Sequence, residues 1–161
     1  MKKIFILTAV CLFAFTASYA QEIRKVKIEE VTDYIKNASH PLIVNFWATW
    51  CAPCVEEIPW FQQAVNDYTS TGAELVLVSL DFPKNYQEAI AKFADEKKLT
   101  ATLFWLNETN ADHFCPFVDS SWFGNIPVTL FINNKTGFRK FMDDQVKETE
   151  LKKILDALVK E

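Results

Sequence analysis

Apolar residues fall along this chain in two rhythms, short continuous runs and recurrences every three or four positions, and their alternation predicts strands interleaved with helices. Residues 42–47 form an apolar run interrupted only by Asn45, the pattern of a strand buried on both faces. Over 52 to about 71, Ile58, Phe61, Val65 and Tyr68 recur at helical spacing, and Pro59 inside that stretch is expected to kink the helix. Residues 74–80 read as a second buried strand, 84–98 as a helix with Tyr86, Ala89, Ile90 and Phe93 on one face, and 102–106 as a short strand. Between 107 and 125 only a helical piece at 111–118 has a discernible outline. Residues 127–133 and 138–142, joined by a turn at 134–137, read as a β-hairpin, and 146–160 as an amphipathic helix with Leu151, Ile154, Leu155 and Leu158 inward. Ahead of all these, 26–31 supply an edge strand and 32–38 a first helix. The order implies an α/β domain with a mixed central sheet and helices on both faces. No internal repeat or low-complexity linker divides it. A chain of 161 residues, half of them hydrophobic with fourteen Phe and five Trp, suits one domain with a sizeable core.

Residues 1–20 stand apart from that pattern. Lys2 and Lys3 give a basic start, residues 4–17 are apolar or small throughout, and Ser18-Tyr19-Ala20 puts small residues at a cleavage position. The expectation is a removed secretory signal followed by one domain over 21–161, hence a periplasmic location. An uncleaved membrane anchor through residues 4–20 is the alternative, although a run of about 14 to 17 residues is short of the roughly 20 that span a bilayer. Thr8-Ala9-Val10 before Cys11 is a poor match to a lipidation site, so Cys11 is expected to leave with the signal. That cleavage would remove two lysines and no acids, leaving 15 basic against 21 acidic groups. The resulting net charge near −6 argues against nucleic acid as a partner and selects no other.

Trp50-Cys51-Ala52-Pro53-Cys54 sits where the apolar strand hands over to the helix, and two thiols three residues apart in that setting form a dithiol/disulfide redox site. In an oxidising compartment Cys51, Cys54 and Cys115 make an odd count, so one thiol is left over. A bridge between positions i and i+3 closes a very small loop and removes little unfolded-chain entropy, so its value lies in reversibility. Only a thiolate attacks a disulfide. Lowering a thiol from about 8.5 to neutrality raises the reactive fraction at pH 7 from about 3% to about half, and requires roughly 2 kcal/mol. A helix N-terminus and the free N–H groups of its first turn can supply that. Cys51, exposed beside Trp50, is therefore the expected nucleophile, and Cys54, one turn deeper, the resolving thiol. Pro53 fits the first helical turn, where a missing N–H costs nothing, and with Ala52 tunes the pair by stiffening the turn. A purely structural bridge or a pair of metal ligands is the rival interpretation.

The segment Asn45-Phe46-Trp47-Ala48-Thr49-Trp50-Cys51-Ala52-Pro53-Cys54, with Asn125-Ile126-Pro127-Val128-Thr129 downstream, resembles the active-site stretch and cis-proline loop of the thioredoxin superfamily. More narrowly it is similar to that superfamily's secreted or membrane-tethered TlpA- and ResA-like branch. The similarity covers residues 26–160. Pro59 falls where the family's second helix is kinked, and residues 84–106 look like the helix–strand insertion of this branch. The resemblance implies a thioredoxin-like fold, a cis Ile126–Pro127 peptide facing Cys51, and an Ile126 backbone that pairs with an extended substrate. In that superfamily a proline before the second cysteine goes more often with reducing members. Asn45 stands where cytosolic members carry a buried acid. Glu57 matches a glutamate of the TlpA- and ResA-like branch and, on the same side of the helix as Cys54, would accept its proton. The alternative is that Glu56 and Glu57 are simply solvated acids favoured near a helix N-terminus.

These readings converge on an enzyme, a periplasmic thiol:disulfide oxidoreductase that reduces disulfides of exported proteins such as apocytochromes. It would be fed by a membrane or periplasmic electron donor and act as a monomer without cofactor or metal. An oxidase or isomerase would use the same chemistry in another direction. A metal- or haem-handling binding module is the alternative outside enzymes, weakened by the missing third ligand beside the pair. A peroxidase would require a threonine and an arginine at its thiol. Cys115 is expected to be a buried inert thiol, ahead of a third redox partner or a metal ligand with His113. Of the tryptophans, Trp50 is assigned to the substrate face and Trp47, Trp60, Trp105 and Trp122 to the core.

Overall fold

The computed structural model describes residues 21–84 and 86–160, so the signal and anchor expectations for 1–20 lie outside the described residues. In chain order the elements are β1 (Ile23–Val26), α1 (Ile28–Asn37), β2 (Leu42–Trp47), α2 (Ala52–Asp67), a 3-10 turn (Thr69–Thr71), β3 (Glu74–Ser79) and α3 (Tyr86–Lys97). They continue with β4 (Thr102–Leu106), α4 (Ala111–Val118), β5 (Val128–Asn133), β6 (Phe138–Met142) and α5 (Glu148–Leu158).

Six strands form one mixed sheet in the order β1-β4-β3-β2-β5-β6. The first four are mutually parallel, whereas β5 runs antiparallel to β2, and β6 antiparallel to β5. The two-residue period of a strand sorts its side chains between two cores. Ile43 and Trp47 of β2, Leu75 and Leu77 of β3, and Leu103 and Trp105 of β4 join Ile58 and Phe61 of α2, Phe93 of α3 and Leu155 of α5. Their alternates Val44, Phe46, Val76, Val78 and Phe104 join Val31 and Ile35 of α1, and Phe114 and Val118 of α4. Helices therefore cover both faces, as the pattern predicts. The strand of the expected insertion, β4, takes an interior place between β1 and β3.

Element ends differ from the pattern where side chains or glycines intervene. The expected strand at 26–31 and helix at 32–38 are instead a strand ending at Val26 and a helix beginning at Ile28. Lys27 is the N-cap; its N–H donates to the Glu30 carboxylate at 2.8 Å, which starts the helix early and turns Ile28, Val31, Thr32 and Ile35 inward at helical spacing. Helix α2 stops at Asp67 rather than near 71, because the chain tightens into the 3-10 turn and leaves through Gly72 at φ +69°. Pro59 lies within α2 and withholds an N–H from the Val55 carbonyl. Helix α5 begins two residues later than its apolar pattern, with Lys147 as N-cap.

At the sheet end opposite the cysteines, Glu74 ties α1 to β3 and β4. Its carboxylate accepts from the Tyr34 hydroxyl at 2.7 Å and the Thr102 hydroxyl at 2.6 Å, and His40 Nε2 lies 2.6 Å away. Burial pushes the Glu74 carboxyl up, but these hydrogen bonds outweigh it and hold it below its ordinary value of 4.5. The stability from this lowered acid is fully present above about 4.5 and is lost as pH falls through the folded value. Denaturant titrations should show Tyr34→Phe costing about 1 kcal/mol at pH 7. Glu74→Gln should flatten the loss of stability on acidification below pH ~4.5.

Candidate active site

Cys51 caps α2, and it is joined to Cys54 by a disulfide with a Cα–Cα distance of 5.3 Å. Cys51 Sγ also accepts the Cys54 N–H at 3.3 Å, so the sulfur replaces a missing backbone partner in the first turn. Cys54 is wholly buried and Cys51 only 6% exposed. The expectation of an exposed nucleophile is thus corrected: the disulfide turns Sγ inward, and what stands in solvent is Trp50, at 57% exposure. The order of access remains Cys51 before Cys54. Pro53 occupies the first turn as anticipated, beside Ala52.

The loop leading to Cys51 is held by an acid the sequence pattern did not single out. Both carboxylate oxygens of Asp81, just past β3, receive the Thr49 N–H (3.1 and 3.2 Å), and Oδ1 also receives the Thr49 hydroxyl at 2.5 Å. Ser79 donates to Oδ2 at 2.7 Å, and the Trp105 indole N–H binds the Asp81 carbonyl at 2.7 Å. Phe82 follows, exposed, with its ring stacked on Trp50 at 5.8 Å between centroids. No spacing rule marks Asp81 in the sequence, because its partners come together only when β2, β3 and β4 lie side by side.

Register places the cis-proline loop at the same sheet end. With Phe46 opposite Val128 in the antiparallel β2–β5 pair, the residues after Trp47 and those before Val128 emerge together. The Ile126–Pro127 peptide is cis. The loop is anchored by the Trp122 indole N–H on the Asn125 carbonyl (2.8 Å) and the Asn125 amide on the Asp143 carbonyl (2.6 Å). Gly124, at φ +95°, admits an approach to α4 so close that an added Cβ would meet Ala111 at 3.1 Å. Phe123 beside it is 88% exposed. Trp50 and Phe82 thus form an exposed aromatic pair, and Phe123 is exposed on the cis-proline loop; of the three, only Trp50 is marked by the sequence pattern. Trp47, Trp105 and Trp122 are core residues and Trp60 is half-buried.

Glu57 is fully buried, which removes the solvated-acid alternative for it, while Glu56 is exposed. Three residues after Cys54, it follows that thiol on one helical face. The strand period puts Asn45 on the face of Ile43 and Trp47, towards α2, and its amide donates to Glu57 Oε1 at 2.9 Å. The Val146 N–H, from the loop before α5, donates to Oε2 at 2.8 Å. Asn45 also donates to the Thr129 hydroxyl at 2.9 Å, which completes a link from α2 through β2 to β5. Burial raises the Glu57 carboxyl to about 7, against the two hydrogen bonds that favour its ionised form and with Asp144 adding repulsion.

Cys115, on the buried face of α4, lies in the other core, with the whole sheet between it and the disulfide. Burial pushes its thiol up to about 11, with Asp112 adding to the rise, so it is inert at neutral pH.

Comparison with known proteins agrees with this arrangement. The sequence pattern of the AhpC/TSA family matches residues 11–139. The thiol-disulfide oxidoreductase ResA of Geobacillus thermodenitrificans is 26% identical over 128 residues, 80% of this chain and 67% of that protein. Its counterpart in Oceanobacillus iheyensis is 42% identical over 59 residues, 37% of this chain and 29% of that protein. The matched stretch thus spans from under a third to about two thirds of these relatives. Among solved structures, a thioredoxin-related protein of Neisseria meningitidis serogroup B superimposes with a TM-score of 0.63 at 23% identity, over 75% of this chain and 86% of that one, which establishes a thioredoxin-like fold.

Because the native fold keeps Glu57 protonated in a pH range where the unfolded chain has ionised it, stability is greatest below about 4.5 as far as this group is concerned. It declines as pH rises through about 7. The expected decline is of order 3 kcal/mol. Urea titrations of the oxidised protein between pH 5 and 8 should show it, and Glu57→Gln should abolish most of it.

Proposed function

Because the chain belongs to the AhpC/TSA family and carries a disulfide at the N-terminus of α2, we propose that it is a thiol:disulfide oxidoreductase that reduces disulfides in exported proteins. The observation that carries this reading is the pairing of a nearly buried Cys51–Cys54 bridge with a fully buried acid, Glu57, poised near neutrality on the same helix face. A merely structural bridge needs no proton acceptor beside its inner sulfur.

In the reduced enzyme the Cys51 thiolate, favoured by the first-turn N–H groups and the helix dipole, attacks one sulfur of the substrate disulfide. One substrate cysteine leaves as thiolate and takes a proton, and the other becomes joined to Cys51. Cys54 then loses its proton to Glu57 and attacks Cys51 Sγ, which re-forms the bridge and releases the second substrate cysteine. Two electrons pass from enzyme to substrate, and a membrane or periplasmic donor restores the dithiol. Asn45 and the Val146 N–H favour the ionised form of Glu57 that can take this proton; the acid that β2 lacks is delivered from α2. The Ile126 backbone ahead of cis-Pro127 receives an extended substrate strand, while Trp50, Phe82 and Phe123 contact its flanking side chains.

Apocytochromes awaiting haem attachment are substrates that fit this reading, and the basic start and apolar stretch of residues 1–20 support action outside the cytoplasm. Among the described residues, no helix is long and apolar enough to cross a membrane. Peroxide chemistry is disfavoured by the arginines: Arg139 is held by Asp119 at 2.8 Å, and Arg24 reaches towards Glu30 at 3.9 Å and over the Phe104 ring.

Equilibration with glutathione should give a couple near −270 mV rather than near −120 mV, the latter being the result that would reassign the protein as an oxidase. Cys54→Ser should trap substrates on Cys51 as mixed disulfides, whereas Cys51→Ser should trap none. Glu57→Gln should slow turnover and remove the rise of rate through pH ~7 without moving the midpoint of Cys51 alkylation. Replacing Phe82 and Phe123 by alanine should raise KM for peptide disulfides and leave the potential unchanged.

A further inference from the structure

We propose that Glu29, Glu108 and His113 form a binding site for a divalent transition-metal ion of the zinc type, apart from the redox pair. The side chain of Glu108 is only 9% exposed. Its Oε1 accepts the Ile28 N–H at 3.2 Å and lies 3.8 Å from Lys27 Nζ, but its Oε2 is buried and has no hydrogen-bond donor among the described residues. A buried carboxylate oxygen in that state favours a cation.

The surroundings of Oε2 supply the rest of a coordination set. His113 Nε2 stands 3.7 Å from Glu108 Oε2 and 3.7 Å from Glu29 Oε1. Those separations exceed hydrogen-bonding distance. They are close to the ~3.4 Å that separates two ligands of a tetrahedral ion with bonds of ~2.1 Å. All three donor atoms lie within 4.8 Å of one another, so small side-chain rotations close the set. One imidazole nitrogen with two carboxylate oxygens suits zinc and its neighbours, whereas calcium and magnesium prefer six or more oxygens.

The donors come from α1, the loop after β4, and α4, so an ion here would clip the first helix to the segment that follows the interior strand. Glu108 and His113 also line a cleft of about 700 Å³ that reaches Phe82 and Gly124, which gives water access as a fourth ligand. Along the sequence, the metal prospect for His113 is Cys115, two residues on, and no site is expected. The fold instead turns Cys115 into the core and brings His113 to two acids distant in sequence.

Calorimetric titration of Zn²⁺ into the full chain, with Cys51–Cys54 oxidised and accessible free thiols alkylated, tests the site without thiolate ligands. The expected result is one saturable ion per chain, bound roughly tenfold or more weakly in His113→Ala and in Glu108→Gln, and not displaced by excess Ca²⁺. Zinc should raise the melting temperature of the parent protein and not of the variants. His113 is half-exposed, so His113→Ala separates loss of the ion from loss of the fold. Absence of saturable binding, or binding and thermal shift unchanged in His113→Ala, would overturn the proposal. Neither result bears on disulfide exchange by Cys51 and Cys54.

Discussion

Burial of one carboxyl group on the helix that carries the disulfide is the constraint around which the neighbouring elements are arranged. An acid removed from water resists ionisation, and Glu57 is kept within reach of neutrality only because Asn45 and the Val146 N–H each donate a hydrogen bond to it. Those two donors come from β2 and from the loop before α5, so one side chain, the one proposed to serve the chemistry, links α2 to the sheet and to the segment that leads into α5. Thr129 extends the link into β5, the strand that begins with the cis-proline loop. The site is therefore not appended to the fold: the acid proposed as its proton acceptor is also one of the contacts that tie the fold together.

A second polar anchor works from the other side of the cysteines. Asp81 gathers Thr49, Ser79 and, through its carbonyl, Trp105, so the ends of β2, β3 and β4 converge on one residue. Phe82 next to it carries the aromatic surface that meets Trp50. Between Glu57 below and Asp81 beside, the segment from Ala48 to Cys54 is held on rigid elements, which lets a small dithiol loop keep a definite geometry.

How much of this could be read from residues alone depended on whether the signal was local. The strand at 42–47 and the helical piece at 111–118 were legible because continuous apolar runs and three-to-four spacing encode them directly. The cysteine pair and the cis-proline loop were legible as motifs. At the N-terminal end, Val26-Lys27-Ile28-Glu29 alternates like a strand while Ile28, Val31 and Ile35 recur at helical spacing, and the Lys27–Glu30 capping contact marks where the helix takes over. Glu56 and Glu57 look alike in sequence; their separation into solvent and core depends on a one-residue rotation of the helix face, with Asn45 waiting on the inner side. Asp81, Phe123 and the Glu29–Glu108–His113 cluster are assembled by tertiary contacts between distant segments, and no local rhythm announces them.

The interior location of β4 bears on how such a chain matures during vectorial synthesis. Among the described strands, β1 has one neighbour, β4, and Ile23 meets Leu103 in that ladder. The first strand to emerge from a ribosome or translocation channel must therefore stay unmated until some eighty further residues have followed it. Once β3 has followed, β2 and β3 can zip together, offering an edge on which β4 must arrive before β1 can close the sheet. The segment that distinguishes this architecture is thus a keystone of assembly, and a nascent chain halted short of it would expose a raw sheet margin.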